Sequence, residues 1–190
     1  MKTIKTKLSL ILITAVVLFA VSVSGCMDTG NSDNGQTDGM QSNISQMVQI
    51  ADKNIPSGFT YLGSPSKDAG EIREDYADVS GIVDAAESIY KNLGGTEVHI
   101  TAVELEDSSS AQNFIKEYKS GFKPLNNSNR FLEKSFNNHT ATQITKYIIE
   151  GGNQVPRYTY TWNNKSIVFI VEGNTDDYTV TRQFSEATGY

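Results

Sequence analysis

Residues that could perform catalysis or bind a metal are few in this sequence. The chain of 190 residues has one cysteine, Cys26, and two histidines, His99 and His139. Zinc sites commonly draw two histidines from one element, for example at positions i and i+4, and these two histidines lie far apart in the chain. We therefore expect no metal site and no cofactor.

The motifs of other common chemistries are also missing from the sequence. It contains no G-x-S-x-G nucleophile turn, and Gly94-Gly95 and Gly151-Gly152 lack the pattern of a phosphate-binding loop. Asp28, Asp33 and Asp38 recur at a spacing of five, which does not match the alternating oxygen ligands of a calcium loop. No catalytic residue can be identified from the sequence, and we expect the protein not to be an enzyme.

The segment before Cys26 has the build of an export signal. Lys2, Lys5 and Lys7 form a positive start, and sixteen uncharged residues follow over 8–23. As a helix these residues would span about 24 Å, which is less than the about 30 Å hydrocarbon core of a bilayer. The length therefore predicts a signal peptide over 1–25 rather than a permanent membrane span.

The sequence Val23-Ser24-Gly25-Cys26 resembles the lipobox of bacterial and archaeal lipoproteins. The resemblance implies that the signal is removed before Cys26 and that its thiol carries a lipid, so a membrane lipid would be the first partner. The alternative is a plain membrane anchor with an incidental cysteine. The lack of a second cysteine favours lipidation, because it excludes an intrachain disulfide.

The charge of the chain argues against binding to nucleic acid. The basic residues before Cys26 are three lysines and all acidic residues follow it, so the formal charge of −6 becomes −9 for the chain beyond Cys26. A surface of this sign is repelled by nucleic-acid phosphates and by anionic lipid head groups. We expect an envelope protein or a glycan as partner, and no nucleic acid.

The segment after Cys26 is typical of a flexible tether. Residues 27–43 are rich in Gly, Asn, Ser, Asp and Gln and offer almost no side chain that a core could bury. Seventeen such residues span roughly 23 Å. We assign residues 26–50 to the lipidated cysteine and its tether, and 51–190 to one extracytoplasmic domain with a single core.

Two helices and a series of strands are predicted in this domain. Apolar residues at helical spacing predict a helix over 109–120, with a Ser109/Gln112 capping box and a left-handed stop at Gly121, and a second helix over about 176–187. Alternating patterns between Asn- or Gly-rich turns predict strands at 58–63, 97–105, 131–136, 141–150, 156–162 and 166–172.

Residues 78–93 are open to two interpretations. They fit a helix capped by Ser80, or a strand over 86–91 that enters a hairpin through Gly94-Gly95. The Gly-Gly turn directly before the next strand favours the strand.

Together these elements predict an α+β fold, in which an antiparallel sheet of five to seven strands is covered by two helices and preceded by a signal peptide and a disordered tether. The pattern over 55–190 resembles small domains of exported lipoproteins, in particular uncharacterised lipoproteins of methanogenic archaea. This resemblance implies no activity.

One predicted strand offers a candidate binding face. Alternation places Tyr158, Tyr160 and Trp162 on one side of it and Arg157, Thr159 and Thr161 on the other. If exposed, the three rings would form a flat platform for sugars or a protein partner. A core position is favoured, because an exposed aromatic face would turn the threonines towards the covering helices.

Four N-x-S/T sequons, at Asn43, Asn126, Asn138 and Asn164, lie in the tether or in predicted turns and are candidate N-glycosylation sites.

Two functions remain open at this point. The first is a non-enzymatic binding or envelope-interaction module held at the outer face of the cell membrane. The alternative is a hydrolase or redox accessory whose site the sequence does not reveal. A concave site with converging polar groups would show where either function is located.

Overall fold

Seven antiparallel strands form one sheet in this computed structural model, which describes residues 44–126 and 128–190. The strands are β1 (Phe59–Gly63), β2 (Ile82–Asn92), β3 (Glu97–Leu105), β4 (Phe131–Phe136), β5 (His139–Glu150), β6 (Asn153–Asn164) and β7 (Ile167–Gly173). The predicted α+β class and the predicted strands are confirmed. Residues 78–93 hold a strand, β2, so the helix alternative was wrong.

Turn chemistry explains why consecutive strands pair. The β4–β5 turn has positive φ at Asn137 (48°) and Asn138 (60°), and the β5–β6 turn has it at Gly151 (56°) and Gly152 (82°). Two successive residues in this conformation twist the chain to match two antiparallel strands, and Asn and Gly adopt it at low cost.

The order of strands across the sheet is β1-β2-β3-β7-β6-β5-β4. The last strand of the chain, β7, is therefore inserted between β3 and β6 and lies at the centre. Its sequence Ile167-Val168-Phe169-Ile170-Val171 is apolar on both sides, and all five residues are buried. A strand of this kind needs a covering layer on each face of the sheet.

Helices supply that cover on both faces. They are α1 (Ile44–Met47), α2 (Ala69–Asp75), α3 (Ser108–Ser120) and α4 (Tyr178–Ala187) among the residues described. One core cluster joins Phe184 of α4 and Ile44 of α1 to Phe169; we call this side the α4 face. The other joins Phe114 of α3 and Ile72 of α2 to Ile170; we call it the α3 face.

The packed domain begins earlier than the boundary predicted at residue 51. Ile44, Val48 and Ile50 are buried in the core of the α4 face. The Tyr90 hydroxyl accepts a hydrogen bond from the Ile50 amide at 2.8 Å, and Ser88 donates one to the Val48 carbonyl. Residues 44–50 are thus part of the fold, because four of these seven residues are apolar and pack in or against the core.

The ends of the predicted helices also need correction. The N-cap of α3 is Asp107, whose side chain accepts from the Ser110 amide at 2.7 Å, rather than Ser109. Gly121 at its other end is right-handed, with φ −66°. The second predicted helix starts at Tyr178 after its N-cap Asp177.

Within the described ranges, no helix combines the length and the apolar character needed to cross a membrane.

Candidate functional site

A concave site lies at the end of the sheet where β7 stops and its neighbours continue. Pairing between β6 and β7 begins at Thr159 and Glu172, whereas β5 and β6 remain paired as far as Glu150 and Asn153. On the other side, β3 continues into its hairpin with β2. The gap is a cavity of about 370 Å³, which we call the notch; it is lined by His99, Lys146, Ile148, Arg157, Glu172, Gly173 and Asn174.

The floor of the notch is the part of the α3 face that the helices leave uncovered. Beneath α2 and α3 most side chains on this face are apolar, as at Val103, Ile144 and Ile170, with buried threonines between them. Two residues further along, the next side chains on this face are Lys146 on β5 and Glu172 on β7. Glu172 is level with His99 on β3 and Thr159 on β6, and Lys146 and Arg157 form the next cross-strand pair towards the end of the sheet.

Glu172 is at the centre of the polar network. Its carboxylate accepts from Lys146 Nζ at 2.9 Å, from the Tyr76 hydroxyl at 3.4 Å and from Thr159 Oγ1 at 3.5 Å. The Tyr76 hydroxyl is also 3.1 Å from Thr101 Oγ1. Burial, together with the nearby Glu172 carboxylate, raises the pKa of Tyr76, so this phenol stays protonated and can donate to Glu172.

His99 is held by a buried carboxylate. Its Nδ1 lies 2.9 Å from Oε1 of Glu87, a residue only 7% exposed. The hydrogen bond to Glu87 raises the pKa of His99 against the opposing effect of partial burial. The other ring nitrogen, Nε2, lies 4.0 Å from Glu97 Oε2, beyond hydrogen-bond distance. Glu87 therefore fixes the orientation of the His99 ring, and His99 lines the notch.

Two cations face each other across the β5–β6 ladder. Lys146 and Arg157 are directly paired and point to the α3 face. Lys146 contacts Glu172, while Arg157 Nη2 donates to Glu150 Oε2 at 2.6 Å and Nη1 donates to the Pro156 carbonyl at 3.0 Å. Two cations thus line one wall of the notch, each paired with a carboxylate.

This arrangement is suited to binding a polar molecule. The His99–Glu87 pair also has the geometry of an oriented general base. However, among the described residues no serine, threonine or cysteine is hydrogen-bonded to His99, and no group of three or more His, Cys, Asp or Glu side chains could hold a metal ion.

The structure places two of the three rings of the candidate binding face in the core, which was the favoured interpretation. Tyr160 and Trp162 are 0% and 1% exposed, beneath α4, and only Tyr158 is partly accessible. Thr159 and Thr161 on the opposite side are also buried, beneath α3. The reasoning that only one of these two sets could face helices was wrong, because helices cover both faces of the sheet.

The remaining predicted site residues do not meet at the notch. His139 starts β5 near the opposite end of the sheet, separated from β3 by two strands. Among the sequons, Asn126 and Asn138 are exposed and Asn164 is half-buried. Asn43, Cys26, Val23, Ser24, Gly25 and the three aspartates of the tether lie outside the described residues.

The notch was not predicted from the sequence. A signal was present: on the side of each strand that faces α3, apolar residues give way to charged ones at His99, Lys146 and Glu172. Only the strand order brings those positions together.

A second depression, of about 800 Å³, lies beside the connection from α3 to β4 and shares Lys146 with the notch. Its wall includes Arg130, whose guanidinium is held by the Lys123 and Thr145 carbonyls. That arginine fixes the connection to the sheet through two backbone carbonyls.

No family model matches the chain, and no curated protein matches it. Among solved structures, the extracellular domain of PknH from Mycobacterium tuberculosis is similar with a TM-score of 0.49 and 9% sequence identity, over 76% of this chain and 92% of that one. Similarity at this level supports no statement about function. The function of the site is therefore inferred from its geometry alone.

Proposed function

We propose that this protein is an exported, lipid-anchored lipoprotein whose domain binds a small ligand in the notch outside the cell. The address is supported by the positive start, the short apolar segment and the lipobox-like Val23-Ser24-Gly25-Cys26. The binding function is supported by one observation: polar and charged side chains from β3, β5, β6 and β7 converge in a concave site where the central strand ends.

Substitution of Cys26 tests the address. We expect Cys26→Ser to abolish lipid attachment, so that the mass added by the lipid is lost and the chain leaves the membrane fraction or accumulates as precursor. Unchanged mass and unchanged membrane retention would contradict lipidation and favour the plain membrane anchor.

Filling the notch tests the binding function. Ile148 lines the notch, whereas its neighbour Ile149 alternates to the other side of the ribbon and is 69% exposed. We expect native mass spectrometry of the full-length chain, incubated with a small-molecule extract of its own cells, to show a bound mass. Ile148→Trp should lose that mass and Ile149→Trp should keep it. If the wild type binds nothing, or both variants bind equally, the notch is not the ligand site.

The hydrolase alternative ranks lower, because its only support is the His99–Glu87 pair and no nucleophilic side chain is bonded to it in the described part of the chain. Hydrolysis of ester or glycoside substrates that disappears in His99→Gln would reverse this ranking.

A further inference from the structure

We propose that the notch recognises a carboxylate or phosphate group of its ligand, with Arg157 and Lys146 as the contacting cations. This inference rests on the ligand site proposed above and names the chemistry that the site selects.

The first argument is the position of the two cations. Lys146 and Arg157 are direct cross-strand partners. Like charges placed opposite each other destabilise an antiparallel pair. The repulsion is offset by the carboxylates of Glu172 and Glu150, and an anion bound between the two cations would be attracted by both.

The second argument is that both cations keep unused donors. A lysine ammonium has three N–H donors and a guanidinium has five. In the structure Lys146 makes one such contact, to Glu172, and Arg157 makes two, to Glu150 and to the Pro156 carbonyl. A planar carboxylate or a phosphate can take up paired donors of an arginine in the fork geometry that these groups favour.

The third argument is the nature of the partner that now occupies Arg157. The Glu150 side chain is 61% exposed, belongs to the last residue of β5 before the turn, and contacts Arg157 through one oxygen. The Arg157 side chain is only 12% exposed, so the pair is open to solvent on the glutamate side alone. Glu150 is therefore the mobile partner of the pair and marks a position that an acidic group of a ligand can take over.

The size of the notch limits the ligand. A volume of about 370 Å³ is at the small end of the range for ligand pockets. The chain beyond Cys26 is strongly acidic, so attraction of an anion depends on the local cations rather than on the charge of the whole protein. The site thus fits a small molecule with one or two acidic groups.

Calorimetric titration of the full-length chain with succinate, and separately with inorganic phosphate, tests the inference. We expect Arg157→Gln to weaken binding roughly tenfold or more, because a charge-assisted hydrogen bond is lost. We expect Glu150→Gln to tighten it roughly two- to fivefold, because the competing carboxylate is gone. Glu150 is exposed, so its substitution does not threaten the fold.

Matched controls separate the local effect from a change in net charge. Lys165→Gln removes one positive charge, as Arg157→Gln does, and Glu133→Gln removes one negative charge, as Glu150→Gln does. Both control residues are exposed and lie away from the notch, so both variants should leave the affinity unchanged. If Glu133→Gln tightens binding as much as Glu150→Gln does, net charge alone is responsible and the inference is wrong.

The source of the acidic group is distinguished with vesicles. A lipid head group would be identified if the protein cosediments with phosphatidylglycerol vesicles but not with phosphatidylcholine vesicles, and if this binding depends on Arg157. Binding of the soluble probes alone would identify a free molecule. If neither probe nor vesicle binds while the cell-extract ligand is still lost in Ile148→Trp, the oxyanion inference fails and the proposed function stands. If no ligand binds at all, both fail.

Discussion

Replacing Ile44 by alanine tests whether the packed domain begins before residue 51. Ile44 is 2% exposed and belongs to the core cluster of the α4 face, together with Val48 and Tyr90. Truncation of a buried isoleucine costs about 2–5 kcal/mol, depending on how far the surroundings can close the cavity. Because α1 has only four residues and can settle onto the sheet, we expect the lower part of this range, about 2–3 kcal/mol.

Urea unfolding followed by far-UV circular dichroism measures this loss. The control is Gln46→Ala, which changes an exposed residue of the same helix and should stay within about 0.5 kcal/mol of the wild type. The slope of the transition should be the same in all three proteins, because the surface exposed on unfolding hardly changes. If Ile44→Ala unfolds at the same midpoint as Gln46→Ala, residues 44–50 contribute nothing and the boundary predicted from the sequence is right.

Three further expectations follow from the structure. Trp162→Ala should cost about 3–5 kcal/mol in urea unfolding, because its ring is buried and stacked on Phe169 at 5.2 Å; an unchanged midpoint would exclude this core position. Asp68→Ala should cost about 0.5–2 kcal/mol, because α2 loses the side chain that accepts from two amides at its start; a smaller loss would show that the cap is dispensable. The pKa of His99 is raised on folding by Glu87, with Glu97 and Glu172 adding to the effect. Protonation of His99 therefore stabilises the fold below about pH 6.5. This contribution is lost as the pH rises through the pKa of His99 in the folded state. The difference in unfolding free energy between wild type and His99→Gln should accordingly shrink from pH 5.5 to 8.5, and a constant difference would contradict the assignment.

The strands could be predicted from the sequence because their signals are local. Alternation defines which residues face each side, and Asn or Gly pairs define the turns; β3 and β4 have the predicted bounds. The hairpin of β2 and β3 followed from Gly94-Gly95, although β2 begins earlier than predicted.

Short helices could not be predicted because they lack an apolar stripe. Within α2 only Ile72 is buried, so the sequence of this helix has no repeating apolar positions from which a helix could be predicted. Its signal is the Asp68/Glu71 capping box, in which each side chain accepts from the other's amide. That pair is visible in the sequence, but without a following apolar run it does not distinguish a helix from a turn.

The notch could not be predicted because it depends on strand order. His99, Glu172 and Thr159 are aligned across β3, β7 and β6 only because β7 is inserted between strands that are far apart in the chain. The sequence contains the charges of the site, and the topology decides which of them become neighbours.

The central place of β7 has a consequence for how the chain can fold during synthesis. Strands β1–β3 and β4–β6 can each form hairpins as they emerge, but β3 and β6 keep an open edge until residues 167–173 arrive. Open edges pair readily with other chains, and contacts between distant segments form slowly. The chain is made from its N-terminus at about 5–20 residues per second, so β3 waits roughly 3–14 seconds for β7, whereas β6 waits about two seconds at most. Whether the chain folds alone therefore depends on its last two dozen residues, which supply both β7 and the α4 layer. Without them, the open edges of β3 and β6 need a protein that shields them.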